Sequence, residues 1–295
     1  MDAGLAILCY HRIVGDADVD AAWPYLERGT CVRMSTFRAH VDDAWVFADI
    51  VTESKALDVL AGRCRLSRPA VWLTFDDGYR DVLAAIPIAP TGTAFVATGV
   101  QRNPLPADAW YAVLLGARRC CGVLDLGHGM FTYDLRVREG RSRLVNGPER
   151  RAFLRSTPDV QATTLDQLAT YLDSPGEFSH CYMDDSELMS LKACGWSVGS
   201  HGVAHTPFDM LDPNAIDCDV RKSIVHLTSL GLRVRSLALP DGSLPSNPGM
   251  LRDAGFESVL GLGNALAEPG AFVSSRFIVP DDPGWVRTTL RQVFS

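Results

Sequence analysis

The sequence predicts an α/β fold, a closed or nearly closed β/α barrel that accounts for most of the chain. Short runs of apolar, β-branched or aromatic residues recur along the sequence, and helical patterns lie between several of them. The length of 295 residues, 47% of them hydrophobic, is sufficient to bury the core of such a barrel. Alternating strands and helices indicate a parallel sheet, in which reactive groups follow directly after strands.

The predicted strands are runs suited to a buried parallel sheet, and they occupy residues 5–9, 71–75, 93–97, 196–200, 234–239 and 258–262. Three helices have clear starting signals. Ser35 is predicted to cap a helix that runs to residue 47. Asp184 or Asp185 is predicted to cap a second helix, which runs to residue 193. Asp212 followed by Pro213 predicts a third, which stops at Gly231.

Residues 101–180 interrupt this rhythm within the barrel of residues 1–295, because they contain no clean strand and are rich in arginine. We interpret them as an insertion. It leaves the barrel after a strand, so we expect a lid or side wall that selects the substrate. Its large side chains would pack against the substrate or form a small core of their own. These side chains are Trp110, Tyr111, Met130, Phe131 and Tyr133.

The net charge of -7 argues against a surface that binds nucleic acid or anionic membranes. The apolar run at residues 4–10 is too short for a signal peptide, and no later segment is long enough to span a membrane. We therefore expect a cytoplasmic protein. The eight cysteines show no framework spacing, which predicts reduced and mostly buried thiols. The oligomeric state stays open.

The strand at residues 71–75 is followed by Asp76, Asp77 and Gly78, so two carboxylates lie side by side at the end of a strand. Adjacent carboxylates repel each other. The pair is tolerable if a cation neutralises one while the other serves as a base. Taken alone, these residues could equally form a solvated turn, because Asp and Gly are common turn residues.

His201 and His205 follow another predicted strand, and their spacing places both imidazoles on one face of a helical turn. A single histidine is more often a surface or satisfied core residue. Two histidines and one carboxylate, however, make a three-ligand site that leaves positions open for water and substrate. We therefore predict one divalent metal, with Zn favoured by the imidazoles and Fe, Co or Ni left open.

Several motifs resemble the polysaccharide deacetylase family, also called carbohydrate esterase family four or the NodB-homology domain. The first two are Thr74-Phe75-Asp76-Asp77-Gly78 and His201-x-x-x-His205. The run Ile7-Leu8-Cys9-Tyr10-His11-Arg12 resembles the opening of a branch with a circularly permuted barrel. The approach Gly195 to His201 and the third motif Leu239-Pro240-Asp241-Gly242-Ser243 are similar as well. The resemblance omits residues 101–180.

The resemblance implies a distorted (β/α) barrel of about seven strands. It implies that Asp77, His201 and His205 hold the metal and that Asp76 is the general base. His11 would be the general acid, because no convincing late Leu-x-His exists to supply one. Near the oxyanion and the substrate, the expected residues are Pro240, Asp241, Tyr79 and Trp110.

The activity implied is metal-dependent hydrolysis of an N-acetyl group on an amino sugar, carried by a small molecule or glycoconjugate. Within the family the chain looks most like enzymes that deacetylate the N-acetylglucosaminyl group of glycopeptide-antibiotic precursors. Deacetylation of chitooligosaccharide or poly-N-acetylglucosamine is an alternative. A sugar-binding protein without turnover is another.

Three positions depart from the family pattern. Gly202 stands where Ser or Thr is usual, Ala238 where many members have Arg, and Asp241 where Tyr is usual. Any residue except proline can donate a backbone N–H to the oxyanion, so Asp241 is compatible with that role. Its carboxylate could also recognise a cationic or hydroxyl-rich substrate.

Parts of the sequence also resemble two other enzyme classes. The run Gly195-Trp196-Ser197-Val198-Gly199 matches the Gly-x-Ser-x-Gly pattern of serine hydrolases, which need a strand before the serine and a helix after it. Here the predicted order is helix and then strand. An iron oxygenase would place its carboxylate near the first histidine instead of far upstream.

Overall fold

The computed structural model describes residues 3–101 and 103–295. Thirteen strands are formed within these residues. In chain order they are β1 Leu5–Tyr10, β2 Arg12–Val14, β3 Cys31–Arg33, β4 Asp49–Ile50, β5 Ala70–Phe75, β6 Thr93–Val96, β7 Cys121–Leu124, β8 Phe131–Asp134, β9 Ser197–Ser200, β10 Ser236–Ala238, β11 Ser258–Leu260, β12 Val273–Ser274 and β13 Phe277–Ile278.

Eleven α-helices are formed in the same described residues. They are α1 Trp23–Arg28, α2 Met34–Phe47, α3 Glu53–Leu60, α4 Pro106–Leu115, α5 Arg138–Asn146, α6 Pro148–Leu154, α7 Pro158–Leu172, α8 Asp185–Ala193, α9 Pro213–Ser229, α10 Gly249–Asp253 and α11 Trp285–Val293. None of them combines the length and the apolar character that a membrane span requires.

The main sheet is parallel throughout and has the strand order β12-β11-β10-β9-β6-β5-β1-β13, with β4 beside β5. Its two end strands, β12 and β13, are consecutive in the chain and are joined only by Ser275 and Arg276. The sheet must therefore curl back on itself. This confirms the predicted distorted (β/α) barrel, with eight strands along the path instead of about seven.

The six predicted strands all form, because each is an apolar run long enough to recognise. Every residue of β1 and β5 is buried, as expected for strands covered on both faces. The strands β4, β12 and β13 were missed, since two residues are too few to show a pattern.

Two of the predicted helix starts are confirmed. Asp184 caps α8 and forms a capping box with Glu187, and the Asp212 carboxylate accepts hydrogen bonds from the first amides of α9. The prediction that Ser35 caps α2 is wrong. Ser35 lies inside the helix, and its hydroxyl donates to Asp16 instead of to a backbone group of the first turn.

The chain divides into two compact units, one of residues 3–16, 30–101 and 181–295 that contains the barrel, and a second of residues 17–29 and 103–180. The second unit contains the antiparallel hairpin β7-β8, which corrects the expectation that no strand occurs there. Its core includes Trp110, whose ring is tilted by 43° against that of Phe153 at 5.0 Å and whose indole N–H donates to the Leu144 carbonyl at 3.0 Å.

All eight cysteines are free thiols, as predicted. The expectation that most are buried is wrong, because only Cys9 and Cys31 are buried and four are exposed. Cysteine composition alone does not separate an apolar interior position from a surface position on a helix or hairpin.

Gly199 lets β9 pack closely inside the barrel, and we predict that Gly199→Ala destabilises the fold. An added Cβ would meet Phe95 Cδ1 at 2.6 Å and the Ser236 carbonyl at 3.0 Å. We expect a loss of about 1–3 kcal/mol in unfolding free energy, measured with urea. Gly261→Ala is the control, because its nearest neighbour would be 3.9 Å away. Equal losses in both variants would contradict this account.

Candidate active site

The predicted site residues follow three strands that run in the same direction. His11 follows β1, Asp76 and Asp77 follow β5, and His201 follows β9. The β1–β5 register pairs Tyr10 with Phe75, and the Asp76 amide continues the ladder by donating to the Tyr10 carbonyl at 2.9 Å. The parallel sheet therefore brings these side chains together at one rim of the barrel.

Asp77, His201 and His205 form a compact cluster of three potential ligands. Both Nε2 atoms lie 3.4 Å from Asp77 Oδ1, and the two imidazole rings meet edge to face at 4.7 Å. Only 9% of the Asp77 side chain and 2% of the His201 side chain are exposed. The His201 ring is oriented from behind, because its Nδ1 hydrogen-bonds the Ala238 carbonyl at 2.8 Å.

A divalent cation fits this cluster. Asp77 Oδ1 is buried and makes no hydrogen bond, although buried carboxylate oxygens nearly always have a partner. In a tetrahedral zinc site with bonds of about 2.1 Å, ligand atoms lie about 3.4 Å apart, which matches the spacing here. Burial lowers the pKa of His201, but the carboxylates of Asp76 and Asp77 outweigh it and raise that pKa above its usual value. The cluster thus has a deficit of positive charge.

The backbone at the cluster adopts conformations that residues with side chains rarely take. Among the described residues, four other than glycine have positive φ, and three of these, Asp77, His205 and Asp241, belong to the predicted site. Their φ values are 74°, 55° and 52°. Such conformations persist only where surrounding structure imposes them, and they concentrate at functional sites.

Asp76 has a partner of its own, Arg276, and one of its oxygens also lies 4.0 Å from His201 Nε2. The guanidinium donates to both carboxylate oxygens at 2.7 Å, and neither side chain is more than 3% exposed. The Cys9 thiol also donates to Asp76 at 3.5 Å. Burial alone would raise the pKa of Asp76, but Arg276 lowers it well below the ordinary range, so this carboxylate is ionised at neutral pH.

Arg276 is a functional residue that the sequence reasoning missed. It lies in the two-residue link between β12 and β13, where no motif marks it, and it also donates to the Thr74 hydroxyl and the Gly261 carbonyl. An arginine inside an otherwise apolar barrel requires a carboxylate partner. That requirement was the available signal, but a sequence does not show which arginine is buried.

His11 lies next to Asp76. An imidazole nitrogen of His11, the Cys9 sulfur and an Asp76 oxygen are all within 4.8 Å of one another. Burial lowers the pKa of His11, and the nearby carboxylates of Asp77 and Asp76 oppose that effect.

The following residue, Arg12, donates to the Asp81 carboxylate at 2.7 Å, and Asp81 also accepts from the Ile13 amide at 3.2 Å. The ion pair joins the segment after β1 to the segment after β5. The backbone that carries His11 is therefore fastened directly to the turn that carries Asp76.

The remaining predicted contacts have different surroundings. Tyr79 is buried, stacks on Tyr182 at 5.4 Å and has the Arg12 guanidinium 5.2 Å above its ring. Pro240 is buried, whereas Asp241 is exposed. Trp110 is completely buried in the core of the second unit. Tyr79 and Trp110 have almost no free surface, and we therefore expect no substrate contact from them.

The serine hydrolase alternative does not fit the structure. Ser197 is the first residue of β9 instead of lying in a turn between strand and helix. Burial raises the pKa of Glu53 and the nearby Ser197 hydroxyl opposes that effect, but no hydrogen bond joins Ser197 to a histidine base in the part of the chain that the structure describes.

No known family model matches the chain, and no curated protein matches it in sequence. Solved structures do match. The deacetylase PplD of Streptococcus pyogenes, in complex with acetate, aligns over 100% of both chains with a TM-score of 0.63 and 15% identity. IcaB from Ammonifex degensii aligns over 98% of this chain and 96% of its own, with a TM-score of 0.60 and 22% identity. A de-N-acetylase from Aggregatibacter actinomycetemcomitans aligns over 96% and 98%, with a TM-score of 0.57 and 13% identity.

The chain has the polysaccharide deacetylase fold. The resemblance seen in the sequence motifs is thereby confirmed at the level of the fold. The alignments extend over nearly the whole chain, so the deacetylase fold includes segments for which the sequence showed no motif.

We predict that Arg276→Met destabilises the deacetylase fold, because it leaves the buried Asp76 carboxylate without a partner. The expected loss at neutral pH is about 3–5 kcal/mol in unfolding free energy. Arg287→Met is the control, since it breaks the Asp43 pair with an arginine that is 59% exposed, and should cost about 1 kcal/mol or less.

The effect of Arg276→Met should also depend on pH. The pKa of Asp76 lies below its unfolded value of about 3.9, so the ion pair contributes fully above that pH. The contribution is lost as pH falls through the folded pKa. Urea unfolding at several pH values should therefore show the difference from wild type shrinking in acid. A difference that is small at neutral pH or independent of pH would contradict this assignment.

Proposed function

We propose that this protein is a metal-dependent hydrolase that removes an N-acetyl group from an amino sugar. The observation that carries the proposal is that two adjacent buried carboxylates have different surroundings. Asp76 is neutralised by Arg276, whereas Asp77 faces two imidazoles at 3.4 Å and its Oδ1 makes no hydrogen bond. One is thus available as a base and the other as a ligand.

Asp77, His201 and His205 would hold the metal. A divalent ion bound there would polarise the acyl oxygen and make a bound water more acidic. Three protein ligands leave positions open for water and substrate, as catalytic zinc sites do. The nitrogen and oxygen donors suit Zn.

Asp76 would accept a proton. Arg276 keeps it ionised and holds both of its oxygens, so the carboxylate cannot rotate away. His11, which directly follows the neighbouring strand β1, would donate a proton to the departing amine, which is a poor leaving group until it is protonated. The Arg12–Asp81 ion pair fixes the backbone that carries His11 relative to the backbone that carries Asp76.

The fold and the site together support an N-acetylated sugar as the substrate class. Acetate in complex with PplD and the name of the de-N-acetylase support an N-acetyl substrate, most simply an amino sugar within a glycoconjugate. The finer proposal is an N-acetylglucosaminyl group on a glycopeptide-antibiotic precursor, and it rests on the sequence resemblance. The lid or substrate-selecting role of residues 101–180 and the cytoplasmic location stay predictions.

We predict that the wild-type protein binds one equivalent of divalent metal and that Asp77→Ala and His201→Ala lose it. Each substitution removes one of only three ligands. Elemental analysis after dialysis measures the metal content. His128→Ala is the control, because His128 is exposed and lies outside the cluster. Full metal retention in both ligand variants would refute the site.

We predict that Asp76→Asn and His11→Ala keep the metal but lower the turnover rate by about 100-fold or more, as expected for a lost general base or acid. Mass spectrometry can follow loss of an acetyl unit from a chitooligosaccharide and from an N-acetylglucosaminyl conjugate. Asp217→Asn, at a half-exposed carboxylate, is the control. Normal turnover in either site variant would remove that residue from the mechanism. Metal and sugar binding by wild type without acetyl loss would indicate a sugar-binding protein.

A further inference from the structure

The segment between the two histidine ligands, residues 202–204, is here called the histidine loop. Part of it is held by backbone hydrogen bonds from the segment after β6. The Thr98 amide donates to the Gly202 carbonyl at 3.0 Å, and the Gly99 amide donates to the Val203 carbonyl at 2.8 Å. These bonds use the carbonyl groups of the loop, and its amides require other partners.

The Asp219 carboxylate supplies one of those partners. Asp219 lies on α9, and its Oδ1 accepts the Val203 amide at 3.0 Å, whereas the Gly202 amide donates to the Ser200 hydroxyl at 3.2 Å. The carboxylate therefore holds the loop two residues before His205. Hydrogen bonds of this kind to a charged acceptor are stronger than those between neutral groups.

Gly202 and Asp219 are matched to each other. A Cβ on Gly202 would lie 2.5 Å from Asp219 Oδ1, so any side chain at residue 202 would displace the carboxylate from the loop. Gly202 also has a φ of 73°, which favours glycine. The departure from Ser or Thr at this position is therefore explained, because the carboxylate from α9 occupies the space that the side chain would need.

We propose that Asp219 is a positioning residue that holds His205 in its metal-binding conformation; this rests on the proposed metal site. His205 has a φ of 55°, a conformation that a residue with a side chain keeps only when its neighbours impose it. The hydrogen bond from the Val203 amide to Asp219 imposes it from two residues before. Without that bond the histidine loop relaxes, His205 samples other conformations, and the metal is held mainly by Asp77 and His201.

The test measures metal affinity rather than activity. Zn²⁺ dissociation constants are obtained by competition with a chromophoric chelator, using metal-free wild type, Asp219→Ala, Asp219→Asn and the control Asp217→Ala. Asp217 lies on the same helix and pairs with Arg221 instead of the loop. We expect Asp219→Ala to weaken binding by about 10- to 100-fold, the range for lost support of metal ligands. Asp219→Asn should retain most of the affinity, because its amide oxygen still accepts, and Asp217→Ala should match wild type.

The variant Gly202→Ala provides a second test, which uses the same Zn²⁺ affinity measurement. If its side chain acts by displacing Asp219, the variant should weaken Zn²⁺ binding, and Gly202→Ala combined with Asp219→Ala should bind about as weakly as the weaker single variant. Losses that multiply would overturn the coupling. Affinity unchanged in Asp219→Ala, with only a lower unfolding temperature of the metal-free protein, would overturn the positioning role. Wild type that binds no Zn²⁺ would overturn the metal site itself and this inference with it.

Discussion

Two neighbouring carboxylates can be buried together only if each negative charge has a separate partner, and the architecture of this site follows from that constraint. Arg276 neutralises Asp76 through two short hydrogen bonds, with both groups almost fully excluded from water. Asp77 is left facing His201 and His205 without a hydrogen bond to Oδ1. The same electrostatic requirement thus produces a fixed, ionised carboxylate and, beside it, an unmet demand for a cation.

The barrel satisfies this constraint by bringing distant segments to one rim. The parallel register places the residues after β1, β5 and β9 side by side, and the link between β12 and β13 carries Arg276 into the interior. Secondary contacts then restrict the functional groups. The Ala238 carbonyl orients His201, and the Arg12–Asp81 pair ties the turn after β5 to the segment after β1. The first contact restricts rotation of the His201 ring, and the second restricts movement of the two segments relative to each other.

Much of the fold was predictable, because long apolar runs indicate strands, and capping residues indicate helix starts, from the local sequence alone. β1 and β5, as well as the Asp212 cap of α9, are of this kind. The acidic pair and the two histidines were also recognisable, since their chemistry is unusual at the ends of strands. Arg276 and Asp219 were not, because each acts on a partner far away in the sequence. Short strands such as β12 left no pattern to read. The burial of Trp110 and Tyr79 was not visible either, since an aromatic residue in an insert or beside a motif can belong to a core.

The position of Arg276 has a consequence for the synthesis of the protein. Asp76 and Arg276 are 200 residues apart in the chain. Ribosomes add roughly 5–20 residues per second, so the carboxylate waits on the order of ten seconds or more for its counter-charge. Throughout that interval β5 cannot bury its acidic end without an unpaired charge. The first half of the barrel should therefore stay open to water until the link between β12 and β13 has emerged, because Arg276 in that link allows the interior to close.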